Sequence, residues 1–189
     1  MAVLSLGGVV VSHSVHRGGM SIDREIAEYV KKTYNMAIGQ RTAEEIKIRI
    51  GSAVSPGKDV TLDIRGRDLL SGLPKTLSIS AGEIYNLLED FIMATIEAVR
   101  TTLEQCPPDL AGDIMDRGIM LCGGGALLTG LDRRLQAEIR VPVQIAERPQ
   151  ECVALGIGRM IGGGGAGSGT GQVNLAGWYM GPEADEEAG

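Results

Sequence analysis

The feature that most constrains this chain is a long amphipathic helix whose start and stop are both written in the residues. Ser80-Ala81-Gly82-Glu83 is a capping box, in which the serine hydroxyl and the glutamate carboxylate satisfy backbone donors that a helix start leaves open. Behind it Ile84, Leu87, Leu88, Phe91, Ile92, Thr95, Val99 and Leu103 trace one face. Pro107-Pro108 then blocks continuation, because proline lacks the amide hydrogen and clashes with the preceding turn. A stripe of that length needs a core to lie on, and the flanking segments are candidates to supply it.

Upstream, residues 2–6 and 9–17 read as a hairpin turning at Gly7-Gly8, a pair that tolerates positive φ. Gly18-Gly19 ends it. Ile22, Ile26, Tyr29 and Val30 recur at helical spacing and predict a helix over 21–34. Thr42-Ala43-Glu44-Glu45 repeats the capping-box signature and predicts a short helix running to about Ile50 and stopping at Gly51. Residues 60–65 and 73–79 read as a second strand pair. Downstream of the prolines comes a strand over 118–122, the triplet Gly123-Gly124-Gly125, a helix over 126–139, a strand over 141–145 and a last helix over 150–161. Strands and helices alternating in this way place the chain in the α/β class. From Gly162 to Gly171 the composition turns to that of a flexible linker, and 172–189 reads as an acidic disordered tail whose Trp178-Tyr179-Met180 cluster is taken to have no specific role.

Composition excludes several functions. Among 189 residues the formal net charge is -6, and lysine and arginine are scattered, so no basic face stands ready for a phosphate backbone. Aromatic content of 3% removes the stacking platforms that single-strand binders use. Nucleic acid is therefore not an expected partner. Cys106, Cys122 and Cys152 are widely spaced and read as reduced thiols; His13 and His16 fall on opposite faces of a strand, so no metal site is expected. No stretch approaches the ~20 apolar residues of a membrane-spanning helix, and residues 1–11 lack the charged start of a signal peptide, so the chain reads as soluble and cytoplasmic.

Two constellations carry chemical information. Gly123-Gly124-Gly125 lies between a strand and a helix, where a backbone without side chains can approach a ligand and amides at the following helix start favour anions or polar edges. The same triplet serves a plain tight turn. Glu44 and Lys47, three apart on one helix face, could accept ribose hydroxyls and pack along a base, although such a pair also reads as a solvated ion pair. Other motifs fail. Gly51 to Lys58 has five residues between its glycines where a phosphate loop needs four, with Asp59 in the place of the magnesium-binding hydroxyl. Gly162, Gly164 and Gly167 match a dinucleotide fingerprint only because any glycine run does. There is no GxSxG elbow.

Taken in order, Arg41-Thr42-Ala43-Glu44-Glu45-Ile46-Lys47 with Ile50-Gly51-Ser52-Ala53, then Arg65-Gly66-Arg67-Asp68-Leu69 with Gly72-Leu73-Pro74, resemble the second half of the bacterial actins MreB and Mbl. So do Cys106-Pro107-Pro108-Asp109-Leu110, Asp113-Ile114-Met115-Asp116-Arg117-Gly118, the run from Gly123 to Gly130, and Cys152-Val153-Ala154-Leu155-Gly156. The resemblance covers roughly residues 2–161. It implies an actin-like, ribonuclease-H-like subdomain from residues 2–34 and 80–161, a small α+β insert over 35–79, and a larger sheet that lacks its central strand.

The resemblance also implies function. Members are ATP-binding proteins that polymerise beneath the membrane and guide rod-shaped wall synthesis. Glu44, Glu45, Ile46 and Lys47 match the family segment lining the adenosine side, and Gly123, Gly124, Gly125 and Ala126 match the opposing loop. ATP contacts are thus expected on the adenosine side only, with weak or absent binding by this chain alone and magnesium belonging to the complete family site. Implied partners are further copies or full-length MreB-like subunits, and membrane-associated wall-synthesis proteins that would bring the chain to the inner face of the membrane. Two departures stand out: Met20 follows the paired glycines where relatives carry an aspartate, and Gln40 stands for a glutamate. No residue is assigned a catalytic role, and the chain is not expected to be an enzyme. The other functions compatible with these residues are a nucleotide-independent fragment that caps or modulates filaments of a full-length relative, and half of another actin-superfamily ATPase or sugar kinase.

Overall fold

A computed structural model describes residues 1–57 and 60–162; apart from Gly162, which ends the last helix, the stretch expected to be linker and tail lies outside these residues. The chain opens on a hairpin, strands β1 (Ala2–Ser5) and β2 (Gly8–Ser12), antiparallel with a bulge between Val3 and Leu4; its turn falls at Leu6-Gly7, both at positive φ, and not at the expected Gly7-Gly8, whose second glycine already pairs with Ser5. The second strand stops five residues short of the sequence expectation. Helix α1 (Gly19–Tyr34) follows, buries Ile22, Asp23, Ile26 and Val30, and ends at Asn35 in the left-handed conformation. Strand β3 (Met36–Ala37) leads into helix α2 (Gln40–Ile50), which buries Ala43, Ile46 and Ile50. Strands β4 (Thr61–Asp68) and β5 (Pro74–Ser80) close an antiparallel sheet of order β3-β4-β5.

The long helix, α3 (Ala81–Glu104), has the expected cap. Ser80 N donates to Glu83 Oε2 at 2.9 Å, and Glu83 N donates to Ser80 Oγ at 3.3 Å. Its buried stripe of Ile84, Leu88, Phe91, Ile92, Ile96 and Val99 is the spine of a single core that also takes in α1, α2, β4, β5, Leu131, Leu135 and Val143. Helix α4 (Pro108–Arg117), strand β6 (Ile119–Leu121), a 3-10 turn (Gly124–Leu127), helix α5 (Leu131–Ile139), strand β7 (Val143–Ile145) and helix α6 (Cys152–Gly162) complete the chain, with β6 and β7 parallel.

Three expectations need correction. Helix α2 starts at Gln40, capped by Gly39 without a side-chain bond; Ala43 N already donates to Gly39 O at 3.1 Å, so Thr42 lies inside the first turn and is not its cap. Pro107-Pro108, expected only to stop α3, also begins α4, because proline is tolerated at the first helical position. The helix expected over 126–139 is a 3-10 turn, then Thr129, then α5 beginning after Gly130.

Two further strand pairs stand apart from the β3-β4-β5 sheet. The hairpin β1-β2 and the pair β6-β7 belong to different sheets, and no strand joins them among the described residues. The hairpin buries none of its residues; Leu4, Leu6, Val9 and Val10 are all exposed. On α6, Val153, Ile157, Met160 and Ile161 are exposed as well.

A polar clasp joins α1 to α3. The Glu83 carboxylate accepts from Tyr29 Oη at 2.9 Å, from Tyr34 Oη, and from Ser80 Oγ at 2.7 Å. Burial pushes Glu83 up, but the Tyr34 hydroxyl, both Ser80 donors and the Tyr29 hydroxyl outweigh it and hold the carboxyl at about 2. The same bond to Glu83, with burial, drives Tyr34 well above its ordinary value. A depressed carboxylate stabilises the fold above its unfolded value near 4.5, and that contribution is lost as pH falls from there toward 2. Tyr34→Phe removes one donor. It should lower stability at neutral pH by about 1.5–3 kcal/mol, the usual worth of a hydrogen bond to a charged group, and move acid unfolding to higher pH. Melting temperature against pH for both proteins checks this; parallel curves would refute the assignment of the clasp.

Candidate functional site

The segment Glu44-Glu45-Ile46-Lys47 occupies the middle of α2, and the helical twist of about 100° per residue sends its side chains in different directions. Ile46 is fully buried in the core. Glu45 is exposed and pairs with Arg49 at 3.2 Å along the helix. Glu44 is exposed and carries no hydrogen bond or ion pair among the described residues. Lys47 turns toward α1, where Nζ lies 2.7 Å from Asp23 Oδ1 and donates to Gly19 O at 3.2 Å. Asp23 is only 3% exposed, and its Oδ1 sits off the axis of a directed hydrogen bond despite the short contact. The lysine therefore ties α2 to the start of α1, beside the exposed Met20.

Gly123, Gly124, Gly125 and Ala126 follow β6. Gly123 has φ +85, which favours glycine, and donates its N–H to Pro149 O at 2.6 Å. Ala126 is buried and donates to Gly123 O at 3.2 Å. Gly124 and Gly125 differ from Gly123. Neither has a positive φ, and a Cβ placed on Gly125 would meet nothing within 4 Å, while one on Gly124 would meet only Gln150 Nε2 at 3.9 Å. Neither local conformation nor packing in this chain asks for glycine at these two places, and glycine within a helical turn is unfavourable. The α5 N-terminus, capped by Gly130, is not at the triplet, so the amides of that helix start do not face it.

The two segments are bolted together just beyond their ends. Ala53 N donates to Thr129 O at 2.8 Å, and Ser52 Oγ reaches Thr129 O at 3.3 Å and Val54 O at 2.7 Å. Gly130, at φ +73, lets Val54 approach so closely that a Cβ there would lie 2.7 Å from a valine methyl. The two runs that carry the resemblance here, Ile50-Gly51-Ser52-Ala53 and Gly123 to Gly130, do not by themselves announce this junction; the Thr129-Gly130 step is the available signal of a break in the helix. An open depression of about 500 Å³ lies against it, lined by Arg49, Ser52, Pro56, Val60, Thr129 and Arg133 among others, and contains none of the eight candidate residues. Among the described residues no group of three or more His, Cys, Asp or Glu could hold a metal ion, and no helix is long and apolar enough to cross a membrane.

With this geometry in hand, comparison with known proteins is specific. The profile of the MreB/Mbl protein family matches residues 1–164. Cell shape-determining protein Mbl of Bacillus subtilis is 43% identical over 161 residues, which are 85% of this chain and 48% of Mbl. Cell shape-determining protein MreB of Escherichia coli is 47% identical over 162 residues, 85% of this chain and 46% of MreB. A crystal structure of MreB5 of Spiroplasma citri bound to ADP superposes with a TM-score of 0.77 at 42% identity, covering 81% of this chain and 46% of the other. A MamK double helical filament, at 17% identity and a TM-score of 0.60, shares the fold. The chain spans about half the length of the curated relatives it matches. By extent of match and by identity, it belongs to the MreB/Mbl family of bacterial actins.

Proposed function

We propose that this chain supplies the second-half portion of a nucleotide-responsive, filament-forming bacterial actin involved in cell-shape determination. In this reading Glu44, Glu45, Ile46 and Lys47 form one wall of the adenosine side and Gly123, Gly124, Gly125 and Ala126 the other, with phosphate and magnesium contacts supplied by sequence outside the chain. Residues 35–79 act as the small subdomain and 2–34 with 80–161 as the larger one; the three-stranded β3-β4-β5 sheet, separate from the other sheets among the described residues, supports that division. Further copies, full-length relatives and wall-synthesis proteins at the inner membrane face are the partners that this reading carries. The observation that carries the nucleotide reading is the pair Gly124 and Gly125, which fold and packing leave unexplained and which close backbone approach to a ligand would explain. Glu44, exposed and unengaged, is the side chain best placed to accept ribose hydroxyls.

The test is calorimetric titration of ATP and ADP into the purified chain, alone and mixed with a separately expressed first half of Bacillus subtilis Mbl. Weak or no binding is expected alone, and binding is expected in the mixture. Gly125→Val, which meets open space and should leave circular dichroism unchanged, is expected to remove it. Nucleotide binding in the mixture that is indifferent to Gly125→Val would refute the site. A filament-capping fragment that ignores nucleotide is the second reading, favoured by the inward engagement of Lys47; failure of the mixture to bind any nucleotide would support it.

A further inference from the structure

Helix α6 (Cys152–Gly162) carries an apolar stripe that nothing among the described residues covers. At about 100° per residue, Val153, Ile157, Met160 and Ile161 fall within one arc of about 100°. They are 63%, 53%, 60% and 76% exposed. Of residues 152–161 only Cys152 is buried, and it lies outside that arc. A Cβ on Gly158 would meet nothing within 4 Å, so the adjoining surface is open as well. A row of exposed apolar side chains along a whole helix is the kind of surface that marks an interaction site.

The sequence that continues from this helix holds a group of matching chemistry. Residues 163–171 are glycine, alanine, serine and threonine only. Then come Val173, Leu175, Trp178, Tyr179 and Met180, and after them the carboxylates of Glu183, Asp185, Glu186 and Glu187. Nine residues of the composition of 163–171 have a root-mean-square span of about 15–18 Å. Helix α6, with 11 residues, is about 16 Å long. A tether is most effective when its span matches the distance between the groups it joins. The chain length after Gly162 is thus suited to bring 172–180 back along the stripe from Ile161 to Val153.

We propose that residues 172–180 dock on the Val153, Ile157, Met160 and Ile161 stripe of α6 in the same molecule. Charge and tether select this occupant. The flanking carboxylates oppose an anionic bilayer, and a short linker holds the segment at an effective concentration of about 1 mM, above that of a second copy at ordinary working concentrations. Trp178 contributes most, since burying a tryptophan removes about 150–250 Å² from water. The contact gives the Trp178-Tyr179-Met180 cluster a role, and it rests on neither the nucleotide nor the filament reading.

Fluorescence of the full chain tests this directly, because Trp178 is its one tryptophan. Relative to a synthetic peptide of residues 163–189, the chain should emit at shorter wavelength. With a tether concentration of about 1 mM, even a contact of about 1 mM affinity is closed about half the time, so the acrylamide quenching constant should fall about twofold or more. Val153→Glu with Ile157→Glu, both at exposed positions, should return emission and quenching to the peptide values and leave circular dichroism unchanged. Leu175→Asp should do the same from the other side of the contact. Lengthening the linker about fourfold with glycine and serine should lower the effective concentration about eightfold and restore most of the quenching. Wild-type emission and quenching equal to those of the peptide would overturn the proposal, as would protection that survives the α6 double variant. Protection that appears only as protein concentration rises would overturn it in favour of a second copy. An unprotected Trp178, together with a first half of Bacillus subtilis Mbl that binds wild type and not the α6 variant, would overturn it in favour of that half.

Discussion

Ile92→Ala should lower the melting temperature of this chain by roughly 6–12 °C. Ile92 is fully buried at the middle of α3, in the stripe where the helix meets the rest of the core. Truncating a buried isoleucine to alanine removes transfer free energy and leaves a cavity, together about 2–5 kcal/mol. For a domain of this size each kcal/mol is worth about 2–4 °C, and a value near 3 kcal/mol gives the stated shift. The position matters as much as the side chain. Leu88 and Ile96, one turn away on either side, are themselves fully buried, so the space left by the truncation is lined by packed side chains. Met93, one residue on, is exposed, and Met93→Ala is the matched control expected to change little. Equal melting temperatures for wild type and Ile92→Ala would contradict the core described above.

A comparable loss, about 3–5 kcal/mol, should follow Lys47→Met, and for a different reason. Its ammonium lies 2.7 Å from a carboxylate that is almost wholly buried, and removing one partner of such a pair leaves an uncompensated charge inside the protein. The double variant Asp23→Leu with Lys47→Met should recover most of the loss, because replacing both partners by apolar groups is often close to neutral. Chemical denaturation of the two single variants and the double one forms the necessary cycle. If both single changes are mild and additive, the pair is not structural. The result bears on function, since lost nucleotide binding in a Lys47 variant cannot be ascribed to a missing ligand contact until folding has been measured; Glu44→Ala, at an exposed and unengaged position, has no such ambiguity.

The long helix was legible because its signals are local. Ser80 and Glu83 bond each other three residues apart, and the apolar stripe repeats within one segment. Helix α4 was not, because a proline carries two meanings, and the sequence reading used only the one that ends a helix. The stretch after Gly125 differs for a related reason: apolar spacing over 126–139 is helical, but the chain leaves the helix at Thr129-Gly130, where Gly130 has φ +73 and Thr129 O accepts from Ala53 N; the glycine is a local sign of the break, while the identity of so distant a partner is not. Lys47 shows the same limit at the candidate site. Its spacing from Glu44 suggested a shared face, while the contact that decides its direction belongs to Asp23 on another helix. The family likeness was legible from whole runs of residues, because relatives at 43–47% identity preserve such runs.

The junction at Ser52 and Thr129 joins residues 77 apart in sequence, so forming it closes a long loop. That closure costs chain entropy that the local helices and hairpins do not require. Under the nucleotide reading proposed above, a ligand bound to both candidate segments would add its binding free energy to the side of the closed junction, and would act chiefly as a brake on its opening.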